Sequence, residues 1–151
     1  MVLSGVDMKN PVEVWYLYHS GFAAKINNKL LIFDYYSNRP ANDGPSLYNG
    51  IFNPGDFKDH DVFVFVSHRH RDHYNPVIFR WMNENPNISL IISSDVKGYK
   101  SHPNIYKTEP DNKYEIRDIY AETFASTDEG IAFLVKAEET VLFHAGDLHW
   151  W

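Results

Sequence analysis

The chain of 151 residues has no cysteine, which removes both a disulfide framework and any thiolate-dominated metal site. It also lacks a long hydrophobic run. The longest, Val62 to Val66, is far too short to cross a bilayer. The start, Met1-Val2-Leu3-Ser4-Gly5-Val6-Asp7, has neither the basic region nor the sustained apolar stretch of a secretory signal, so a cytoplasmic location is expected, with no membrane partner. Basic charge is scarce as well: 14 Lys and Arg stand against 20 Asp and Glu, a net charge of -6. Phosphate backbones are held by clustered cations, so this balance disfavours a broad nucleic-acid surface and points to a small-molecule substrate, while a local basic strip stays compatible with it. No internal repeat or low-complexity segment interrupts the chain.

What is present suits a packed sheet protein. Hydrophobic residues make up 44% and aromatic residues 16% of the chain, and a domain of this size buries roughly two-thirds of its unfolded surface. A single domain over residues 1–151 is expected. Val12 to Tyr18, Phe22 to Ile26 and Leu30 to Phe33 are β-branched or aromatic, and Asn27-Asn28-Lys29 between the last two marks a hairpin turn. Ser37 to Lys58 is rich in Gly, Pro, Asn and Asp and predicts a long loop. Val62 to Val66, apolar on both faces, predicts a buried strand. Asn75-Pro76 opens a helix that presents Ile78, Phe79 and Met82 on one face and stops near Asn83 to Pro86. Ile88 to Ile92 is the next strand, Asp95 to Lys100 a short helix, and Tyr114 to Phe124, Ile131 to Val135 and Thr140 to Phe143 the strands of a second sheet.

The chemistry is concentrated in Val66-Ser67-His68-Arg69-His70-Arg71-Asp72-His73, three imidazoles and a carboxylate directly after the buried strand. In an extended segment His68 and His70 project to the same side and can close on one ion. Asp72 and His73, one turn on, can face a second ion at the separation used by two-metal hydrolytic sites. Imidazole with carboxylate oxygen suits Zn2+ best, with Mn2+ or Fe2+ as competitors. An exposed mixed-charge loop with incidental histidines is the bland alternative, and it gives this spacing no purpose.

His-Arg-His-Arg-Asp-His resembles the His-x-His-x-Asp-His signature of the metallo-β-lactamase superfamily. Leu30-Leu31-Ile32-Phe33-Asp34 is similar to that family's first motif, and Thr140 to Asp147 to the strand ending in Gly-Asp. The resemblance implies an α/β fold, an αββα sandwich, of which this chain corresponds to the N-terminal half to two-thirds and ends early at its C-terminus. It implies that Asp147 bridges two ions, that Asp34 supports a ligand histidine from behind, and that Asp72 is both ligand and catalytic orienting base. The family's third motif supplies a histidine near Phe124 to Gly130, where this chain has none. Asp128, Ser126 or a water are the candidates for that position.

Of the remaining histidines, His19 is placed either against substrate or in a plain turn, and His144 by alternation faces away from Asp147 into a supporting position. His149 shares the side of Asp147 if the strand continues, and His60 and His102 read as surface residues. Two functions from different classes follow: a metal-dependent hydrolase cleaving an ester, lactone, amide or phosphodiester, or a non-catalytic metal-binding or scaffold protein with an incomplete site. A flavodiiron-type redox enzyme is a weaker third, since that group generally carries Glu where Arg69 stands. The sequence leaves a homo-oligomer open.

Overall fold

The structure, a computed structural model, describes residues 11–37, 44–127 and 130–148. Strands β1 (Val12–Tyr16), β2 (Phe22–Ile26), β3 (Lys29–Phe33), β4 (Asp61–Val66), β5 (Ile88–Ser93) and β6 (Ile105–Thr108) form one sheet in that order. The first three are antiparallel neighbours, and β3 through β6 run parallel. The second sheet is antiparallel, in the order β10 (Thr140–His144), β9 (Ile131–Ala137), β8 (Ile119–Ala125), β7 (Lys113–Ile116).

The two-faced apolar character of β4 has a direct cause, since both of its faces are covered. Val62, Val64 and Val66 pack toward Ile78 and Trp81 of helix α1 (Val77–Glu84), while Phe63 and Phe65 turn to the other side and meet Phe133 of the second sheet. Leu30 and Ile32 of β3 alternate with Leu31 and Phe33 in the same way. Truncating a buried phenylalanine of this kind costs about 3–5 kcal/mol, so these two strands anchor both layers. The order is therefore helix, sheet, sheet. A helix over the outer face of the second sheet is not found among the described residues, where one α-helix is present.

Asn75 Oδ1 accepts from the Val77 N–H at 2.9 Å, but the cap position falls to Pro76, one residue later than the Asn-Pro start predicts, and the helix ends at Asn85, whose N–H donates to the Trp81 carbonyl. Four sequence expectations need correction. Tyr114 to Phe124 is not one strand but the hairpin β7–β8, reversed at Arg117 in the left-handed region (φ 56°). Asp95 to Lys100 is a turn and irregular chain, not a helix. The strand beginning at Val12 stops at Tyr16, because Tyr18 and His19 both have positive φ and turn the chain back into β2. Within the expected long loop, Leu47–Asn49 and Pro54–Phe57 are short 3-10 turns, the first closed by a Ser46/Asn49 capping box. Strand β6 was not anticipated.

The parallel arrangement decides where a site lies. Asp34 follows the end of β3 and Ser67 the end of β4, so both sit at the carboxyl edge of the parallel strands, where α/β sheets leave a crevice. The Ile131 N–H donates to the Ser67 carbonyl at 3.0 Å and brings the start of β9, from the other sheet, to the same edge. No helix among the described residues is long and apolar enough to cross a membrane.

Candidate metal centre

Asp34 is the organising group. It is fully buried, in the left-handed region at φ 47°, and its N–H donates to the Phe65 carbonyl. Oδ1 accepts from the Ser67 N–H at 2.8 Å. Oδ2 accepts from the Ser67 hydroxyl at 2.7 Å, from His73 Nδ1 at 2.7 Å and from His144 Nε2 at 2.8 Å. Burial alone would push this carboxyl up, yet the hydrogen bonds from His144 and His73, the charge of His144 and the Ser67 bond outweigh it and hold Asp34 far below the ordinary carboxylate range.

An ionised Asp34 fixes two tautomers. His73 keeps its proton on Nδ1, where Ser20 Oγ also lies at 3.0 Å. Ser67 has spent its hydroxyl proton on Asp34, so it accepts from His68 Nδ1–H at 3.0 Å. Both histidines thus turn an Nε2 lone pair to the crevice, the arrangement that carboxylate-supported imidazole ligands require. Both Nε2 atoms are buried and have no hydrogen-bond partner. Unpartnered buried acceptors are costly, and two side by side point to a cation that both would face.

The Asp147 carboxylate spans the pair, with Oδ1 3.0 Å from His73 Nε2 and Oδ2 3.6 Å from His68 Nε2. His68, His73 and Asp147 bring three donor atoms within 4.8 Å of one another. A second group shares His73 and adds Asp72 and His19, with His19 Nε2 3.1 Å and His73 Nε2 3.9 Å from Asp72 Oδ2. His70 is exposed and enters neither group; its ring packs edge-on against that of His68 with centroids 4.6 Å apart. Its carbonyl accepts the His73 N–H, closing a turn in place of the extended segment that would send His68 and His70 to one side.

Charge follows the geometry. Burial and the charge of neighbouring His73 push the His68 imidazole down. For His73 burial works in the same direction, but the hydrogen bond and charge of Asp34 outweigh it and raise the group. Burial would raise Asp72, and its own backbone hydrogen bond together with the charges of His73, His19 and His68 lowers it instead.

Of the other sequence candidates, His144 lies behind the site on Asp34, stacked on Phe33 at 5.2 Å, the supporting place expected of it, although β10 ends at His144 and Gly146 turns the chain (φ 60°), so strand alternation does not set its relation to Asp147. Ser126 donates its hydroxyl to the Asp147 carbonyl at 2.7 Å, which anchors that strand end. Asp128 and His149 lie outside the described residues. The roles of Ser67 and Ser20 were not read from the sequence. A hydroxyl directly before the first histidine was the one available signal for Ser67.

No protein-family model and no curated protein matches the sequence. Solved structures do resemble the fold. A metallo hydrolase of the hyperthermophilic archaeon Ignicoccus hospitalis matches with a TM-score of 0.60 at 14% identity, over 93% of this chain and 62% of that one. The metallo-β-lactamase fold protein YhfI of Bacillus subtilis matches with a TM-score of 0.58 at 15% identity, over 84% of this chain and 54% of that one. CmlA, a diiron β-hydroxylase of Streptomyces venezuelae, matches with a TM-score of 0.58 at 10% identity, over 89% of this chain and 29% of that one. The chain therefore has the metallo-β-lactamase fold, and it spans less than two-thirds of the length of these three structures.

Proposed function

From that fold, we propose that the chain carries the metal-holding part of a hydrolase that binds one or two divalent ions, Zn2+ by donor chemistry with Mn2+ or Fe2+ as competitors, and cleaves an ester, lactone, amide or phosphodiester bond of a small molecule. The observation that supports this most is the pair of buried Nε2 atoms on His68 and His73 that face the Asp147 carboxylate with no hydrogen-bond partner. In this reading His68 and Asp147 would hold one ion, with His70 beside them, and His73, Asp72 and Asp147 would hold the other. His19 closes the second group. When bound, such ions supply Lewis acidity toward water and toward a carbonyl or phosphoryl oxygen.

The chain's own residues do the rest. Asp34 keeps the Nδ1 protons of His73 and, through Ser67, of His68 in place, so both Nε2 atoms stay available. In this reading Asp72, held ionised at neutral pH, would orient a nucleophilic water and take up its proton. His68→Ala and His73→Ala, purified and assayed for bound metal by plasma mass spectrometry, should each lose most of it. Metal content equal to that of the parent chain in both variants would remove the assignment.

A scaffold reading is favoured by one observation: Ser126, in the region where the family places a further histidine, is engaged with the Asp147 backbone. Metal retained without turnover on an esterase, lactonase and phosphodiesterase panel would select it.

A further inference from the structure

Beside the imidazole cluster lies a cleft of about 400 Å³ bounded by Tyr36, Arg69, Arg71, Tyr74, Asn75 and Pro76. It adjoins the second ligand group directly. The Tyr36 ring meets the His19 ring edge-on at 5.7 Å, His19 reaches the Asp72 carboxylate, and Arg71 is the residue before Asp72. In a chain of net charge -6, two guanidinium groups line this one cleft.

The two arginines differ. Arg69 leans on Asp95, with its N–H donating to Asp95 Oδ2 at 3.0 Å and its Nε 4.0 Å from the same oxygen. Arg71 is exposed, and no carboxylate among the described residues pairs with it. The start of α1, also at this cleft, offers little to a ligand. The N–H groups of Val77, Ile78 and Phe79 are taken up by Asn75 Oδ1 and by the Asn75 and Pro76 carbonyls. Recognition in the cleft therefore falls mainly to the Arg71 fork, which shares the lining with two phenol rings and by its donor pattern matches planar or tetrahedral oxyanions.

We propose that this cleft binds an anionic group, a carboxylate or phosphate, of the molecule hydrolysed next to it, and that Arg71 is the residue that selects for that charge. The proposal rests on the hydrolase reading above and narrows its substrates to small anionic molecules. A cleft of this size takes one such group with a short apolar stem and not a polymer strand, and the acidic surroundings turn away extended polyanions.

The test is a titration of the full chain, followed by NMR of the Arg71 Nε–H and the Tyr36 and Tyr74 rings, with phenyl phosphate, benzoate and neutral benzyl alcohol as probes. Phenyl phosphate or benzoate should shift these signals saturably, and whichever binds tighter identifies the oxyanion. Benzyl alcohol should leave them in place. Arg71→Gln should weaken binding roughly tenfold, the loss of one charge-assisted hydrogen bond, and Arg71→Lys by less. Anion binding within about twofold of the parent in Arg71→Gln, or no saturable binding of either anion, overturns the proposal. Metal content of the same samples separates the two readings. A chain that holds metal but shows no Arg71-dependent anion binding fails only this one, and a chain that holds no metal fails the hydrolase reading itself.

Discussion

Asp34 and His73 stand 39 residues apart in sequence and meet at 2.7 Å in a fully buried hydrogen bond. The same carboxylate oxygen receives Ser67 and His144, so the ends of β3, β4 and β10 are tied to one anion. Without that anion the Nδ1 contacts left to the two inward-facing imidazoles are the hydroxyls of Ser20 and Ser67, which can donate as well as accept and so fix neither tautomer. The site is thus positioned from behind, by a group that does not line the crevice.

Asp34→Asn is the sharpest test of that relationship. The amide keeps the volume but confronts four donors with a single acceptor oxygen, and it removes the buried charge that opposes His73. Metal affinity should fall roughly 10- to 100-fold, the usual cost of losing a carboxylate behind a ligand histidine. Stability of the metal-free chain should fall by about 3–5 kcal/mol, as when one member of a buried pair is deleted. Metal titration and denaturant unfolding read the two effects, and unchanged affinity in a folded variant would show that Asp34 does not position the ligands.

How far the sequence reaches can be traced residue by residue. Val62 to Val66 and Leu30 to Phe33 were legible because burial on both faces leaves an unbroken apolar run. The hexapeptide and Asp34 were legible because strand ends in this fold place their chemistry at a fixed edge. The break at Arg117 was not, since its left-handed turn uses an arginine where glycine or asparagine would have signalled it. Asp95 to Lys100 carries helix-compatible residues, but Asp95 is committed to Arg69 and Gly98 has positive φ, so tertiary contacts override propensity. The arrival of His19 beside Asp72 depends on two consecutive positive-φ residues, Tyr18 and His19, which no periodicity reveals.

Gly130 is a second structural control on the ligands. It has φ +89°, and a Cβ there would meet the Ser67 carbonyl at 2.3 Å and His68 Cβ at 2.4 Å. Neither neighbour is the far end of a flexible chain. Gly130→Ala should therefore destabilise the fold by at least about 1–3 kcal/mol and displace His68. Thermal unfolding together with metal titration measures both, and a variant with parental stability and affinity would show that the β9 start does not brace the metal loop.

Metal uptake should depend on pH in a defined direction. A ligand imidazole must be neutral at Nε2, so a bound ion competes with a proton. His73 is raised above its ordinary 6.5 by Asp34, and His68 is lowered by burial and by the charge of His73. Competition is therefore governed by His73. Affinity should be level at alkaline pH and begin to fall while pH is still above 6.5, by about tenfold per pH unit for one competing proton. In Asp34→Asn the onset should move to lower pH. Affinity that stays flat from pH 8 to 5.5 would exclude His73 as a ligand.

At the far end of β3 from the site, Lys29 supports stability without touching the ligands. Its side chain is 7% exposed, with Nζ 2.6 Å from Asp118 Oδ2 and 3.4 Å from Glu138 Oε1, so it joins the first sheet to the β7–β8 and β9–β10 turns of the second. Burial would lower this amine, but the hydrogen bonds and charges of Asp118 and Glu138 outweigh it and raise it above 10.5. A raised folded-state value means that the stabilisation is fully present below pH 10.5 and is lost as pH climbs through the folded value. Lys29→Met should cost about 1–2 kcal/mol near pH 8, between the limits for exposed and buried pairs, because both carboxylates stay partly solvated. The gap between parent and variant should narrow above pH 10.5 while metal affinity at pH 8 is unchanged. Denaturant unfolding at pH 8 and pH 11 decides the matter, and a gap equal at both would mean that Lys29 acts through packing of its stem, with no measurable share from its charge.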